Sequence, residues 1–436
     1  MRDRFRNRNI AWLMVLIVLA LAANLPAAES KAAGDSLGYG NTPAALRPYA
    51  RFASPYKQFF VNALEFTGPG RDKPEPEVTS VRIGVLAPLE RGHEAYLGQP
   101  MLDAIRLAVD EANAAGGYRG LPFELVVRND TGLWGASANE IVTFSYTDSV
   151  WAVLGTVDGA NTHIAIRVAL KTELPVINVA DTDPTLVETK IPWVFRIIAD
   201  DRQMAYALAR HVYGERDFQR VAILRADNRY GRFGVSEFRT ASVRLARPAP
   251  IEVNYEIAWA QVDPGFTVQV ARLQRVAPDA IVLWADAEAA AHLLVALRTA
   301  GIEAPVFACD RLLHPQFLEQ AGPAAEGVVI ASPWNPAADN PHYQLFREAY
   351  LARIGTEPTT YASHAYDGAR MLIDAIRAAG LNRYRIRDAL AAVKRYDGVT
   401  GTIMMDLVQS DRGPVSLATV RQGSFVFGDP AIAGGF

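Results

Sequence analysis

The run Val81-Arg82-Ile83-Gly84-Val85-Leu86 leads into Tyr96-Leu97-Gly98 and then into an amphipathic stretch over 101–115. The same grammar returns later in the chain, where 221–224 leads into Tyr230-Gly231 and another amphipathic stretch over 234–245. A β-rich run followed by a loop and a helical period of ten to fifteen residues is the unit of a parallel sheet covered by helices. Ligands of such sheets sit beyond the carboxyl ends of the strands, where helix N-termini offer unpaired N–H groups. Both units present a Tyr and then a Gly at that point, so two such sheets facing each other would bring both tyrosines to a cleft.

Working outward, the alternation continues through most of the chain. Strands are expected over 123–128, 151–154, 176–179, 220–224, 251–255, 280–283 and 306–307, the rhythm restarting after 193–197. Helices are expected over 137–147, 162–172, 203–213, 266–276 and 287–300. A late helical region (343–354, 363–379, 385–393) gives way to short strands at 401–405 and 417–420. The fold class is α/β, with parallel sheets flanked by helices.

Composition narrows the function. The 436 residues carry 44 Lys and Arg against 47 Asp and Glu, a formal charge of −3. Without the basic leader the excess of acid is larger still, so no nucleic-acid partner is expected, since such binding needs surplus Lys and Arg. Cys309 is the one cysteine, which excludes a disulfide framework and a cysteine-rich zinc site. Residues 1–28 read as a signal peptide: Arg2, Arg4, Arg6 and Arg8 precede an apolar run over 10–23, too short for an ordinary spanning helix of ~20 residues. Ala20-Leu21-Ala22 and Pro26-Ala27-Ala28 compete as cleavage sites, and an uncleaved anchor is the other reading. Residues 29–78 form an extension rich in Pro, Gly and aromatics, among them Tyr49, Phe52, Tyr56, Phe59, Phe60 and Phe66. Those aromatics are expected to pack on the main body; a docking arm for a partner is the alternative.

Ala108-Val109-Asp110-Glu111-Ala112-Asn113-Ala114-Ala115-Gly116-Gly117, Leu154-Gly155, Leu174-Pro175-Val176-Ile177-Asn178, Asp227 with Tyr230-Gly231, Ala325-Glu326-Gly327-Val328 and Ala365-Tyr366-Asp367-Gly368 follow the opening words in order. This ordered set resembles the type I periplasmic binding proteins, specifically the branched-chain amino-acid-binding class that serves ABC importers. The resemblance implies two Rossmann-like lobes joined by a three-crossover hinge, closing on ligand. It implies lobe 1 over 79–197 with 333–398, lobe 2 over 198–332 with 399–428, and crossings near 196–199, 331–333 and 398–400. It also implies a monomer in the periplasm, a small-molecule ligand, no cofactor, and an inner-membrane ABC permease with its ATPase as partner.

The family's ligand site carries over by position. Its carboxylate-binding serines fall on Gly159 and Ala160, its ligand-contacting Thr on Thr182, its closing aromatic on Tyr230, and its ammonium-binding acid on Asp310. Tyr96 offers a further hydroxyl, and Asp181 stands where a small residue is usual. Asp158, Asp181, Asp183 and Asp310 would make the pocket acidic, favouring a polar, neutral or cationic ligand, or a bridging calcium. Helix and turn capping is the competing role for Asp158, Asp181 and Asp183. Trp134, Trp284 and Trp334 are candidates for an aromatic wall or for core. His163 falls near the cleft by position, although a helix-face or capping role is commoner. No hydrolase elbow, zinc helix, Walker loop or dinucleotide fingerprint is present, so no enzyme is expected. Cys309 beside Asp310 is expected to be buried and inert, because a neighbouring carboxylate disfavours the thiolate. The rival to a transport component is a ligand-sensing or regulatory module that uses the same cleft to signal through a partner.

Overall fold

The computed structural model describes residue 66 and residues 68–90, 94–131, 135–255 and 265–428. The leader, both cleavage sites, Trp134 and most aromatics of the 29–78 extension lie outside the described residues.

The first sheet is built from β1 (Val81–Ala87), β2 (Phe123–Asn129), β3 (Val153–Gly155), β4 (Val176–Asn178) and β5 (Val194–Arg196), connected through helices α1 (Ala95–Ala114), α2 (Ala136–Tyr146), α3 (Gly159–Thr172) and α4 (Thr185–Glu188). Its strands run parallel in the order β2-β1-β3-β4-β5. The second sheet follows helix α5 (Asp201–Ala209) and contains β6 (Val221–Ala226), β7 (Ile251–Tyr255), β8 (Ala280–Trp284), β9 (Val306–Ala308) and β10 (Val329–Ser332). These are linked by α6 (Arg229–Arg244), α7 (Thr267–Val276), α8 (Ala287–Thr299) and α9 (Pro315–Ala321). Its parallel part is ordered β7-β6-β8-β9-β10, the same winding as the first sheet. Strand order therefore reverses between β1 and β3 and again between β6 and β8, and a crevice for ligands opens outside the carboxyl ends at such reversals.

After β10 the chain returns to the first lobe. Helices α10 (Pro341–Ile354), α11 (Thr360–Ala379) and α12 (Arg383–Ala392) follow, and Phe346, Tyr350, Tyr361, Leu372 and Ile376 share one core with Ile83, Val85, Met101 and Ile105. The hairpin β11 (Arg395–Gly398) and β12 (Gly401–Met404) also belongs there, because Val399, Ile403 and Met405 are buried in that core. The crossing expected near 398–400 is thus the turn of this hairpin. The chain rejoins the second sheet only at β13 (Ser416–Arg421), antiparallel to β10, and ends the sheet with β14 (Ser424–Phe427).

Arg196, 1% exposed, ties two of the connecting segments together. Its backbone N–H donates to the Gln409 carbonyl and its own carbonyl accepts from Asp411 N. Its guanidinium donates to the Asp183 carbonyl at 2.7 Å, to Asp200 at 2.9 Å and to Ser410 Oγ at 2.7 Å.

Several helices begin earlier than hydrophobic periodicity predicts. Helix α1 runs back through Pro100 to Ala95, sacrificing one backbone bond, while Leu97 and Met101 enter the core. Asp158 caps α3 by accepting from Asn161 N at 3.0 Å, Asn228 caps α6 through Gly231 N at 2.9 Å, and Thr359 caps α11 through Ala362 N at 3.2 Å. At the far end of the extension, Phe66 meets Trp193 edge-on at 5.1 Å and stacks on Tyr384 at 6.0 Å, with the Arg387 guanidinium 4.9 Å from its ring centre. That contact matches the packing expected of the extension's aromatics for this residue.

Trp284 is fully buried in the second lobe, and a Cβ added to Gly234 of α6 would stand 2.0 Å from its Cε2. Helix propensity favours Ala over Gly by about 1 kcal/mol, whereas forcing bulk into a packed core costs about 1–3 kcal/mol. Gly234→Ala is expected to lower the urea unfolding midpoint with an unchanged slope; a raised midpoint would contradict this packing.

Candidate functional site

The two sets of strand ends meet at the junction of the lobes, and charge dominates the meeting. From the first lobe come the β3–α3 loop, the Asp181-Thr182-Asp183 turn after β4, and the starts of α1 and α11. The second lobe contributes the start of α6, Asp286 after β8, and Asp310-Arg311 after β9.

Asp310 is wholly buried and receives hydroxyls from both lobes: Tyr230 donates to Oδ1 at 2.9 Å, and Tyr361 of α11 donates to Oδ2. Burial pushes this carboxyl above its ordinary pKa, although both hydroxyls and Arg311 pull it back. Arg311, 3% exposed, donates to Asp286 Oδ1 and to Glu94 Oε1, each at 2.7 Å, and its guanidinium lies 4.0 Å from the Tyr230 ring centre. Glu94 stands just before α1, so this guanidinium joins the lobes. Burial works against its charge, but Glu94 and Asp286 outweigh the burial. Tyr96 spans the same gap: its hydroxyl donates to the Arg311 carbonyl and accepts from Ala287 N, both at 3.3 Å.

A second bridge lies beside Gly159. Arg229 of α6 forms an ion pair with Asp183 and donates to Thr185 Oγ1 at 2.9 Å. His163 Nε2 is 2.9 Å from Thr185 Oγ1 and 3.4 Å from Asp183. Burial alone would raise the Asp183 pKa, yet His163 and Arg229 hold it well below the usual carboxylate range. Asp183 also accepts from Thr185 N at 2.8 Å, so it caps a turn and bridges the lobes at once. A Cβ on Gly159 would lie 3.2 Å from both Arg229 Cδ and Asp183 Oδ2, which explains a residue without a side chain at this seam.

Asp181 and Asp201 complete the cluster. Asp181 Oδ1 accepts from Asp183 N at 3.0 Å, and Asp201 Oδ1 accepts from Thr182 Oγ1 at 2.8 Å. The second oxygen of each is buried without a hydrogen-bond partner. Burial, and then Asp183, push Asp181 up to about 8; burial, and then Asp310, push Asp201 well above the ordinary range. Cys309 is fully buried beside them, its thiol driven far up by burial and by Asp310.

The structure therefore brings Asp181, Thr182, Tyr230, Asp310 and Tyr96 to the lobe junction, with Gly159 against the Arg229–Asp183 pair. Ala160 follows in the first turn of α3. Asp158 serves as the cap of that helix. Trp284 and Trp334 are buried, 0% and 4% exposed, Trp284 in the second lobe's core and Trp334 in the first's. Among the described residues no group of three or more His, Cys, Asp or Glu is arranged to hold a metal ion. Arg229, Arg311, Asp201, Glu94, Asp286 and Tyr361 were not singled out by the sequence. Their one sequence signal is position, since each stands at or beside a helix start or a strand end.

With this geometry in view, the chain matches the family described as periplasmic binding protein over residues 80–423 and belongs to it. The fold is that of the type I members. The Leu/Ile/Val-binding protein homolog 2 of Brucella abortus is 25% identical over 345 residues, covering 78% of this chain and 88% of its own. Among solved structures, the branched-chain amino acid transporter substrate-binding protein LivJ of Streptococcus pneumoniae, in complex with isoleucine, superposes with a TM-score of 0.72 at 23% identity, covering 80% of this chain and 100% of its own. A solute-binding protein of an ABC transporter from R. palustris, in complex with benzoate, gives 0.73 at 18% identity over 80% of this chain and 95% of its own. Both structures share the fold.

Two outcomes follow from the charges. Arg311→Met strands Glu94 and Asp286 in the interior, a loss of about 3–5 kcal/mol in denaturant unfolding; Glu94→Gln added to it should recover part, and a neutral Arg311→Met would contradict the pairing. Because Asp181 holds a proton in the folded chain that the unfolded chain releases near pH 4, its contribution to stability falls as pH rises from about 4 to about 8. Asp181→Asn should thus stabilise the protein more at pH 8 than at pH 5; an equal or reversed difference would refute the buried, protonated carboxyl.

Proposed function

We propose that this protein is the exported substrate-binding component of an ABC importer. It takes a small polar, amino-acid-like solute into the cleft between its lobes and delivers it to an inner-membrane permease with its ATPase. The signal-peptide reading of residues 1–28 makes the periplasm its compartment, and it works there as a monomer without catalytic turnover. The observation that carries this reading is Asp310, hydrogen-bonded by Tyr230 from its own lobe and by Tyr361 from the other. A group contacted from both lobes at once is what makes closure and ligand binding one equilibrium, since a ligand there gains its full contacts only in the closed form. The relatives named above, a Leu/Ile/Val-binding homologue and a transporter protein holding isoleucine, support an amino-acid-like solute. Tyr96, Gly159, Ala160, Asp181, Thr182, Tyr230 and Asp310 form the proposed binding surface.

Thermal unfolding of the purified protein against amino acids, amino amides, polyamines, polyols and aromatic acids tests this. A ligand at a hundred times its Kd adds ~2.7 kcal/mol, which is worth a few degrees. At least one class should raise the midpoint, and Tyr230→Ala with Tyr361→Phe should abolish the rise. No shift from any class, in protein freed of carried-over solute by unfolding and refolding, would overturn the reading in favour of a partner-binding module.

A further inference from the structure

The chain joins the first lobe through a short strap, Phe66 with residues 68–73, that lies behind the two connecting segments tied together at Arg196. We propose that this strap is a brace for the crossing between the lobes: its seating on α12 holds Arg387 in place, and Arg387 pins the returning segment at Gln409 against β5. The brace acts through the two-lobe fold, whatever solute the cleft takes.

Three sets of contacts seat the strap. The side-chain amide of Asn382, 5% exposed, donates to the carbonyls of Gly70 at 3.0 Å and Lys73 at 3.1 Å, while its Oδ1 accepts from Tyr384 N at 3.0 Å and so starts α12. Arg71 pairs with Asp388 and donates to the carbonyls of Gly68 and Phe66, both at 2.7 Å, closing the strap on itself. Gly70 is buried against Tyr384, where an added Cβ would stand 1.9 Å from Cε2.

Phe66 then reaches groups that belong to the crossing. It packs on a small core, separate from the main core of the lobe, that contains Trp193, Val194 and, from the returning segment, Val408. Its ring centre lies 4.9 Å from the Arg387 guanidinium. Arg387 is 5% exposed and donates to the Pro192 carbonyl at 2.7 Å, to Asp388 at 3.0 Å and to Gln409 Oε1 at 2.9 Å. Gln409 passes the hold on: its side-chain amide donates to the Val194 carbonyl at 2.7 Å, and its backbone carbonyl accepts from Arg196 N at 2.9 Å. A buried guanidinium needs these partners, and hydrogen bonds kept from water are stronger than those open to it. Taking the ring away admits water to the guanidinium and weakens its hold on Pro192 and Gln409 together. A contact made by the extension upstream of Phe66 would thereby reach the lobe crossing without touching the cleft.

Hydrogen exchange of the purified protein, resolved to single amides, tests the brace in Phe66→Ala and Gly70→Ala. The second variant drives the strap off Tyr384 and removes no polar contact of the crossing. The amides of Arg196 and Asp411, each bonded from one connecting segment to the other, should exchange roughly tenfold faster or more in both variants. The amides of Gly84 in the first sheet and Ile281 in the second, bonded to Ala152 and Pro305, should change by less than about twofold. If Phe66→Ala does not fold, Gly70→Ala is read by the same amides. Unchanged exchange at Arg196 and Asp411, with or without faster exchange of Tyr384 and Arg385 at the start of α12, would overturn the brace and leave the strap a local cover. An equal rise at Gly84 and Ile281, or failure of both variants to fold, would also overturn it, since the strap would then serve the stability of the whole fold. Neither result touches the solute-binding reading.

Discussion

The constraint on which this structure turns is the burial of like charges where its two lobes meet. At an effective dielectric of ~20, two unit charges ~4 Å apart interact by about 4 kcal/mol, so each buried carboxylate has to be matched or protonated. The chain uses three means. Arg311 neutralises Glu94 and Asp286, and Arg229 neutralises Asp183. Tyr230 and Tyr361 hydrogen-bond Asp310. Burial pushes Asp181 and Asp201 toward the protonated form. Because several of these contacts join one lobe to the other, the electrostatics of the cleft and the geometry of closure are a single problem.

The winding of the two sheets explains why the charges converge. Each lobe repeats one strand order, so the loops after the third and fourth strands of both sheets face a common space. Asp158 and Asp286 occupy the first of these positions, and the Asp181–Asp183 turn and Asp310 the second. Helix N-termini there add partial positive charge, which favours carboxylates at those places. Arg196 then links the segment leaving the first sheet to the segment returning near Ser410.

Much of the fold was legible because long, strongly apolar runs such as Val81–Ala87 and Ala280–Trp284 betray buried strands. Helix starts were not, and the reason is functional. The first turns of α3, α6 and α11 carry Asn161, Tyr230 and Tyr361, which face polar partners, Asp130 for the first and Asp310 at the lobe junction for the two tyrosines, and so break the apolar period. Strand β10 escaped notice because it is four residues long and half of it was read as a crossing. In the site, the expected residues were those that a linear word marks. Arg311 was missed because its partner Glu94 lies 217 positions away, a pairing that no local pattern encodes. For Asp183 the sequence leaves pocket-lining and capping open; it caps a turn, and its ion pair with Arg229 depends on the lobes being brought together.

The central claim is that solute binding closes one lobe upon the other, and it can be measured directly. Cys309 is fully buried, so spin labels at Leu170→Cys on α3 and Val243→Cys on α6, both exposed, would report one distance between lobes. Pulsed electron resonance should show a broad or longer distribution without solute that collapses to a single shorter distance when a stabilising solute is added. A distance unchanged by a solute that binds saturably would contradict closure about this cleft.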